Sequence, residues 1–144
     1  MSLKSHSCWY ANLYALFAIC LLTGICANGQ NLIGYKGTEI RKYMDENCRN
    51  MSSEKVVNNK FKYLKYADNS DSKTLLFFIN NDSICKSVRL ICNNIVKEEK
   101  MKEFDKIYKR SGENRWIDSR NGINYIVELS NEKWSCVITI KPEK

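Results

Sequence analysis

Apolar and polar positions change period several times along the chain. Leu75 to Ile79 is an unbroken apolar run, Asn80-Asn81-Asp82-Ser83 is turn chemistry, and Val88, Leu90 and Cys92 return in alternation. This predicts a β-hairpin between Lys73 and Cys92 whose first strand is apolar on both faces, and so a central strand covered on both sides. Upstream, Ile40, Tyr43, Met44 and Asn47 fall at helical spacing after Thr38 and Glu39, predicting a helix over 38–47. The polar segment 49–60 reads as loop, and Phe61 to Tyr66 as an aromatic strand. Between Ile95 and Arg110 the period is helical again, with Met101, Phe104, Ile107 and Tyr108 as its stripe, acidic residues at its start and Ser111-Gly112 as its stop. Three short strands follow: 115–118, 123–129 and 134–140. Asn121-Gly122 marks a tight turn, Ser130 to Lys133 a second one, and Pro142 ends the pattern.

Overlaying the halves gives a common order of helix, aromatic strand, turn, apolar strand, Asn-containing turn and a strand with a cysteine near its start. The fold class predicted is α+β, an antiparallel sheet with two helices on one face in the order αβββαβββ, with half-repeats at 38–93 and 94–142 and a possible tandem duplication. Hairpins resemble one another, so coincidence between two ordinary halves is the rival explanation.

The N-terminus changes the picture of the rest. Lys4 and His6 precede an apolar stretch from Asn12 to Cys26, and Ala27-Asn28-Gly29 places small residues before Gln30. This reads as a signal peptide over 1–29, cut before Gln30, and a secreted or periplasmic mature chain with no integral membrane span. The apolar run falls short of the roughly 20 residues a spanning helix needs. A lipid-attachment reading is weaker, because Ile25 and Ile19 precede the two candidate cysteines. The mature chain is then 144 − 29 = 115 residues, enough for a single domain over 30–144, and its charge falls from +7 to +6 as Lys4 leaves. That sign attracts acidic partners, although the charges are scattered along the chain.

The single histidine leaves with the leader, which removes histidine-activated nucleophiles and the commonest neutral metal ligand from the mature chain. Four cysteines remain: Cys48, Cys85, Cys92 and Cys136. None stands in a Cys-x₂₋₄-Cys pair, so no metal or redox site is expected, and an even count in an exported chain points to two disulfides with three connectivities. Cys85 with Cys136, on equivalent strands, and Cys48 with Cys92 is the preferred pairing. Regular alternation would point Cys85 and Cys92 to opposite faces. No glycine-rich phosphate loop is present, no cofactor is expected, and export disfavours nucleic acid. Carboxylates fall mostly on turns and helix surfaces, with Glu128 the nearest to a buried strand position.

Binding surfaces remain. Tyr63, Tyr66, Trp116 and Trp134 interleave with Lys62, Lys65, Arg115 and Lys133 on predicted strands, and aromatic rings flanked by cations stack on sugars and protein side chains. The competing reading places those rings in the core. The preferred function is a non-catalytic exported domain binding a protein or envelope component through a basic-aromatic sheet face. The alternatives are a small carboxylate-dependent hydrolase and a structural accessory of an envelope assembly.

The leader ending before Gln30, the helix TEIRKYM, and the stretches FKYLKYADN and LLFFINND resemble small exported proteins of Bacteroidetes-type bacteria, mostly without assigned function. The doubled helix-plus-sheet layout is also similar in topology to β-lactamase-inhibitory-type proteins. That resemblance implies a sheet face presented to an enzyme.

Overall fold

The computed structural model describes residues 32–54, 62–70 and 72–144. The predicted leader and its cut site, and Phe61 of the first predicted strand, lie outside the described residues. The elements in order are α1 (Gly37–Asn47), β1 (Met51–Glu54), β2 (Tyr63–Asp68), β3 (Lys73–Ile79), β4 (Cys85–Asn93), a 3₁₀ turn (Asn94–Val96), α2 (Lys97–Ile107), β5 (Lys109–Gly112), β6 (Arg115–Arg120), β7 (Ile123–Asn131) and β8 (Ser135–Pro142). All eight strands form one antiparallel sheet in the order β1-β2-β3-β4-β8-β7-β6-β5. The protein is α+β, with each helix followed by four strands rather than three. The additional strands, β1 and β5, are the sheet's two edges.

The register relates the two halves by a pseudo-twofold axis through the centre of the sheet. Val88 opposes Ile140 and Leu90 opposes Ile138, with Arg89 and Thr139 paired between them. Leu75 pairs with Leu90 just as Val127 pairs with Ile140, and Tyr66 flanks Leu75 just as Trp116 flanks Val127. Successive strand residues point to opposite faces, so these registers assign every paired side chain to one face or the other.

Both helices cover the same face. Ile40 and Met44 of α1 join Leu64, Tyr66, Leu75, Phe77 and Val88 in one buried cluster. Phe104 of α2 joins Trp116, Val127, Leu129, Ile138 and Ile140 in the other. Half-buried Leu90 and Ile33 touch both clusters and make the core continuous. α1 starts one residue before the predicted cap, the Lys36 backbone N–H donating to Glu39 Oε2 at 2.7 Å. α2 ends at Ile107, short of the predicted Arg110, because Tyr108 turns extended and leads into β5. Asn93 caps the preceding 3₁₀ turn by accepting from the Ile95 N–H. Asn121 and Gly122, at φ 50° and 76°, make the predicted hairpin turn, whose two left-handed positions suit Asn and Gly.

Among the described residues, no helix lies against the other face. Among the described residues β3 is therefore covered on one side only, where the apolar run had led us to expect two: Leu75 and Phe77 are buried under α1, while Leu76 and Phe78 are half-buried on the uncovered face.

Candidate functional site

The uncovered face is built from the alternate positions of strands whose other positions form the core. One row crosses seven strands without a break: Glu54, Lys65, Leu76, Arg89, Thr139, Glu128 and Arg115. Beside it run Tyr63 and Phe78, whose ring centroids lie 5.7 Å apart, and the cross-strand pairs Ile91–Val137 and Ile117–Ile126. The Arg89 guanidinium lies over the Phe78 ring at 5.3 Å. Among the paired, described residues this face carries Lys65, Arg89, Lys109, Arg115 and Lys141 against two carboxylates, Glu54 and Glu128. Lys65 bridges Glu54, and Lys141 bridges Glu128 at 2.9 Å.

At the seam of β4, β8 and β7 the face sinks into a cavity of about 330 Å³. Ile91 and Val137 line it among polar residues: Arg89, Thr139, Ser130, Ser135 and Glu132. An apolar patch ringed by hydroxyls, one cation and one carboxylate offers side-chain packing and directional hydrogen bonds. Glu132 also belongs to the turn that carries Trp134. Its N–H donates to the Ser135 carbonyl at 2.8 Å, and the Asn94 amide donates to the Glu132 carbonyl at 3.1 Å. Trp134 projects from this turn 78% exposed, with the Lys133 ammonium 5.1 Å from its ring centre.

The aromatic and basic residues singled out from the sequence divide among four places. Tyr63, Lys65 and Arg115 lie on the uncovered face. Lys133 and Trp134 sit at one end of the sheet, and Lys62 lies just before β2, donating to Asn81 Oδ1 at 3.3 Å. Tyr66 and Trp116 are core residues, 1% and 0% exposed, and are withdrawn from any binding surface. Their strands present them to the helices: Tyr66 packs edge-on to Phe77, and Trp116 to Phe104. The Trp116 indole N–H is satisfied by Asp105 Oδ1 at 2.7 Å, and burial pushes the Tyr66 phenol up. Sequence reasoning passed over Leu76, Phe78, Arg89, Ile91 and Val137. The signal for the first two was the unalternating run in β3, read there as a doubly covered strand.

All four described cysteines are thiols in this structure, and its geometry separates Cys85 from Cys136. Cys85 and Cys136 hold corresponding places in the two halves, but the pseudo-twofold sends corresponding places to opposite ends of the central β4–β8 pair. Cys136 lies opposite Cys92, seven positions from Cys85, about 20 Å along the strand. A shift of register at Phe78/Ile79 passes over Lys86 and turns Cys85 inward against α1, so Cys85 and Cys92 both face the helices. Cys48 lies in the first cluster and Cys92 in the second. The four are buried, and burial pushes the Cys85 thiol up to about 11.

Glu128, the strand carboxylate a hydrolytic mechanism would draw on, has Arg115 and Thr139 as its neighbours in the register, so no second carboxylate adjoins it across either strand. Among the described residues no three His, Cys, Asp or Glu side chains converge as a metal-ligand set, and no helix is long and apolar enough to cross a membrane. No family model matches the chain, and neither does any curated protein or solved structure.

Proposed function

We propose that the protein is a non-catalytic, exported binding domain that seats an acidic protein segment on the uncovered face of its sheet. One observation carries this reading. Both described helices lie on the same face, and no described element covers half-buried Leu76, Phe78, Ile91 and Val137 on the other. Apolar side chains ringed by polar ones on an open sheet are the composition of a docking patch. The excess of cations on that face selects a carboxylate-bearing partner and speeds its encounter. Export rests on the leader-like N-terminal sequence.

The test is capture of a partner from an envelope fraction by the immobilised chain. The double variant F78D/R89E should lose capture, whereas Trp134→Ala and Lys42→Glu, on a turn and on the outer side of α1, should keep it. Capture should also weaken as salt rises. Undiminished capture by F78D/R89E would remove the uncovered face from the function.

A further inference from the structure

Cys92 and Cys136 stand directly opposite each other on the two central strands of the sheet, one from each half of the chain. Their sulfurs are 2.9 Å apart, both residues are buried, and 44 positions of sequence separate them. Directly opposed residues of an antiparallel pair have Cα atoms about 4.5–5.5 Å apart, within the range a disulfide spans. We infer that Cys92 and Cys136 are the protein's oxidation site, forming a cross-strand disulfide that staples the N-terminal half to the C-terminal half. As thiols they contact each other, and their contacts to backbone oxygen are long, the Cys92 Sγ to the Cys136 carbonyl and the Cys136 Sγ to the Asn93 carbonyl, each at 3.7 Å. Cys48 and Cys85 stay outside this bond, Cys85 held in the first cluster against α1.

The chemistry is thiol–disulfide exchange with a small or protein disulfide RSSR as oxidant. One cysteine thiolate attacks RSSR, giving a mixed disulfide and releasing RS⁻. The second cysteine, losing its proton, attacks the mixed disulfide and releases the second RS⁻. The two protein thiols are oxidised by two electrons, and RSSR is reduced to two RSH once both thiolates have taken up protons. The site also fixes when this happens. In the closed sheet both cysteines are buried, so neither sulfur is open to an incoming RSSR, and burial and the neighbouring Cys136 sulfur also push the Cys92 thiol up, which leaves little thiolate. The bond therefore forms while the β4–β8 seam is still open, during folding. Once formed it lies directly behind the Ile91–Val137 pair that lines the open-face cavity.

The full chain, unfolded and reduced, is refolded with reduced and oxidised glutathione. The monomer is isolated, alkylated under denaturing conditions, digested with trypsin without reductant and mapped by mass. The expected product is a cross-linked pair of the peptides 90–97 and 134–144, two hydrogens lighter than their sum, in most molecules, with Cys48 and Cys85 alkylated. Alkylation of Cys92 and Cys136 in most molecules, or a link from either to Cys48 or Cys85, overturns the inference. A second measurement needs no variant. Chain folded in reductant, then given oxidised glutathione alone, should form the link at least roughly tenfold more slowly than refolding chain does. An equal or faster rate rejects formation during folding.

Discussion

Trp116 and Tyr66 hold corresponding places under the two helices, and each fills its half of the core with a ring that strand alternation alone could not assign. Trp116→Ala removes a fully buried indole, its edge contact with Phe104 and its bond to Asp105. The cost expected is about 3–5 kcal/mol of unfolding free energy, measured by urea denaturation. Trp134→Ala, in the exposed turn, should stay within roughly 0.5 kcal/mol of wild type in the same assay. Asp68 carries the pH dependence that is easiest to isolate. Bonds from the Ser72 hydroxyl and the Lys73 backbone N–H, with Ser70 assisting, lower its carboxyl to about 2. Because the folded value lies below the unfolded one, its contribution is complete above about pH 5 and disappears as pH falls towards 2. The gap in urea midpoint between wild type and Asp68→Asn should therefore close between pH 5 and pH 2. A gap independent of pH would mean that the ionised carboxylate adds nothing.

At the scale of elements, the sequence carried those parts whose side chains repeat with a period. The α2 stripe, with Phe104 at its buried centre, and the β6–β7 hairpin with its Asn121-Gly122 turn were legible because burial imposes spacing. The edge strands were not. Met51–Glu54 and Lys109–Gly112 are polar and mostly exposed, held by backbone pairing to one neighbour, and such strands leave no apolar alternation to read. The inward turn of Cys85 was hidden for a related reason, since a register shift breaks the phase on which face assignment depends. The choice of face was ambiguous as well, because Tyr63 and Tyr66 put aromatic rings on both phases of one strand. One prediction belongs to this scale. Gly122 has open space where a Cβ would stand, so Gly122→Ala tests backbone conformation alone. It should cost about 1 kcal/mol, and an unchanged midpoint would show that the turn shifts to relieve the left-handed residue.

For the whole molecule, the asymmetry between a covered and an uncovered face makes neighbouring residues behave in opposite ways. Val88 and Arg89 are adjacent on the central strand β4: Val88 is 1% exposed beneath the helices, while Arg89 points to the open face at the centre of the seven-strand row. Val88→Asp places an unpaired carboxylate between Phe77 and Ile140, with no hydrogen-bond donor at either neighbour's side chain. A loss above about 3 kcal/mol is expected, enough to unfold a domain of ordinary stability. Arg89→Asp forfeits the contact over Phe78 and reverses a charge in solvent, and should fall within about 1 kcal/mol of wild type. The partner strand repeats the contrast through the pseudo-twofold: Ile138→Asp should unfold the chain, whereas Thr139→Asp should leave it folded. Circular dichroism and urea titration of the four variants decide the matter. Two alternating pairs, one on each side of the axis, are what a one-sided sheet produces. Equal damage from Arg89→Asp and Val88→Asp would mean that something in solution covers the open face even when the chain is alone.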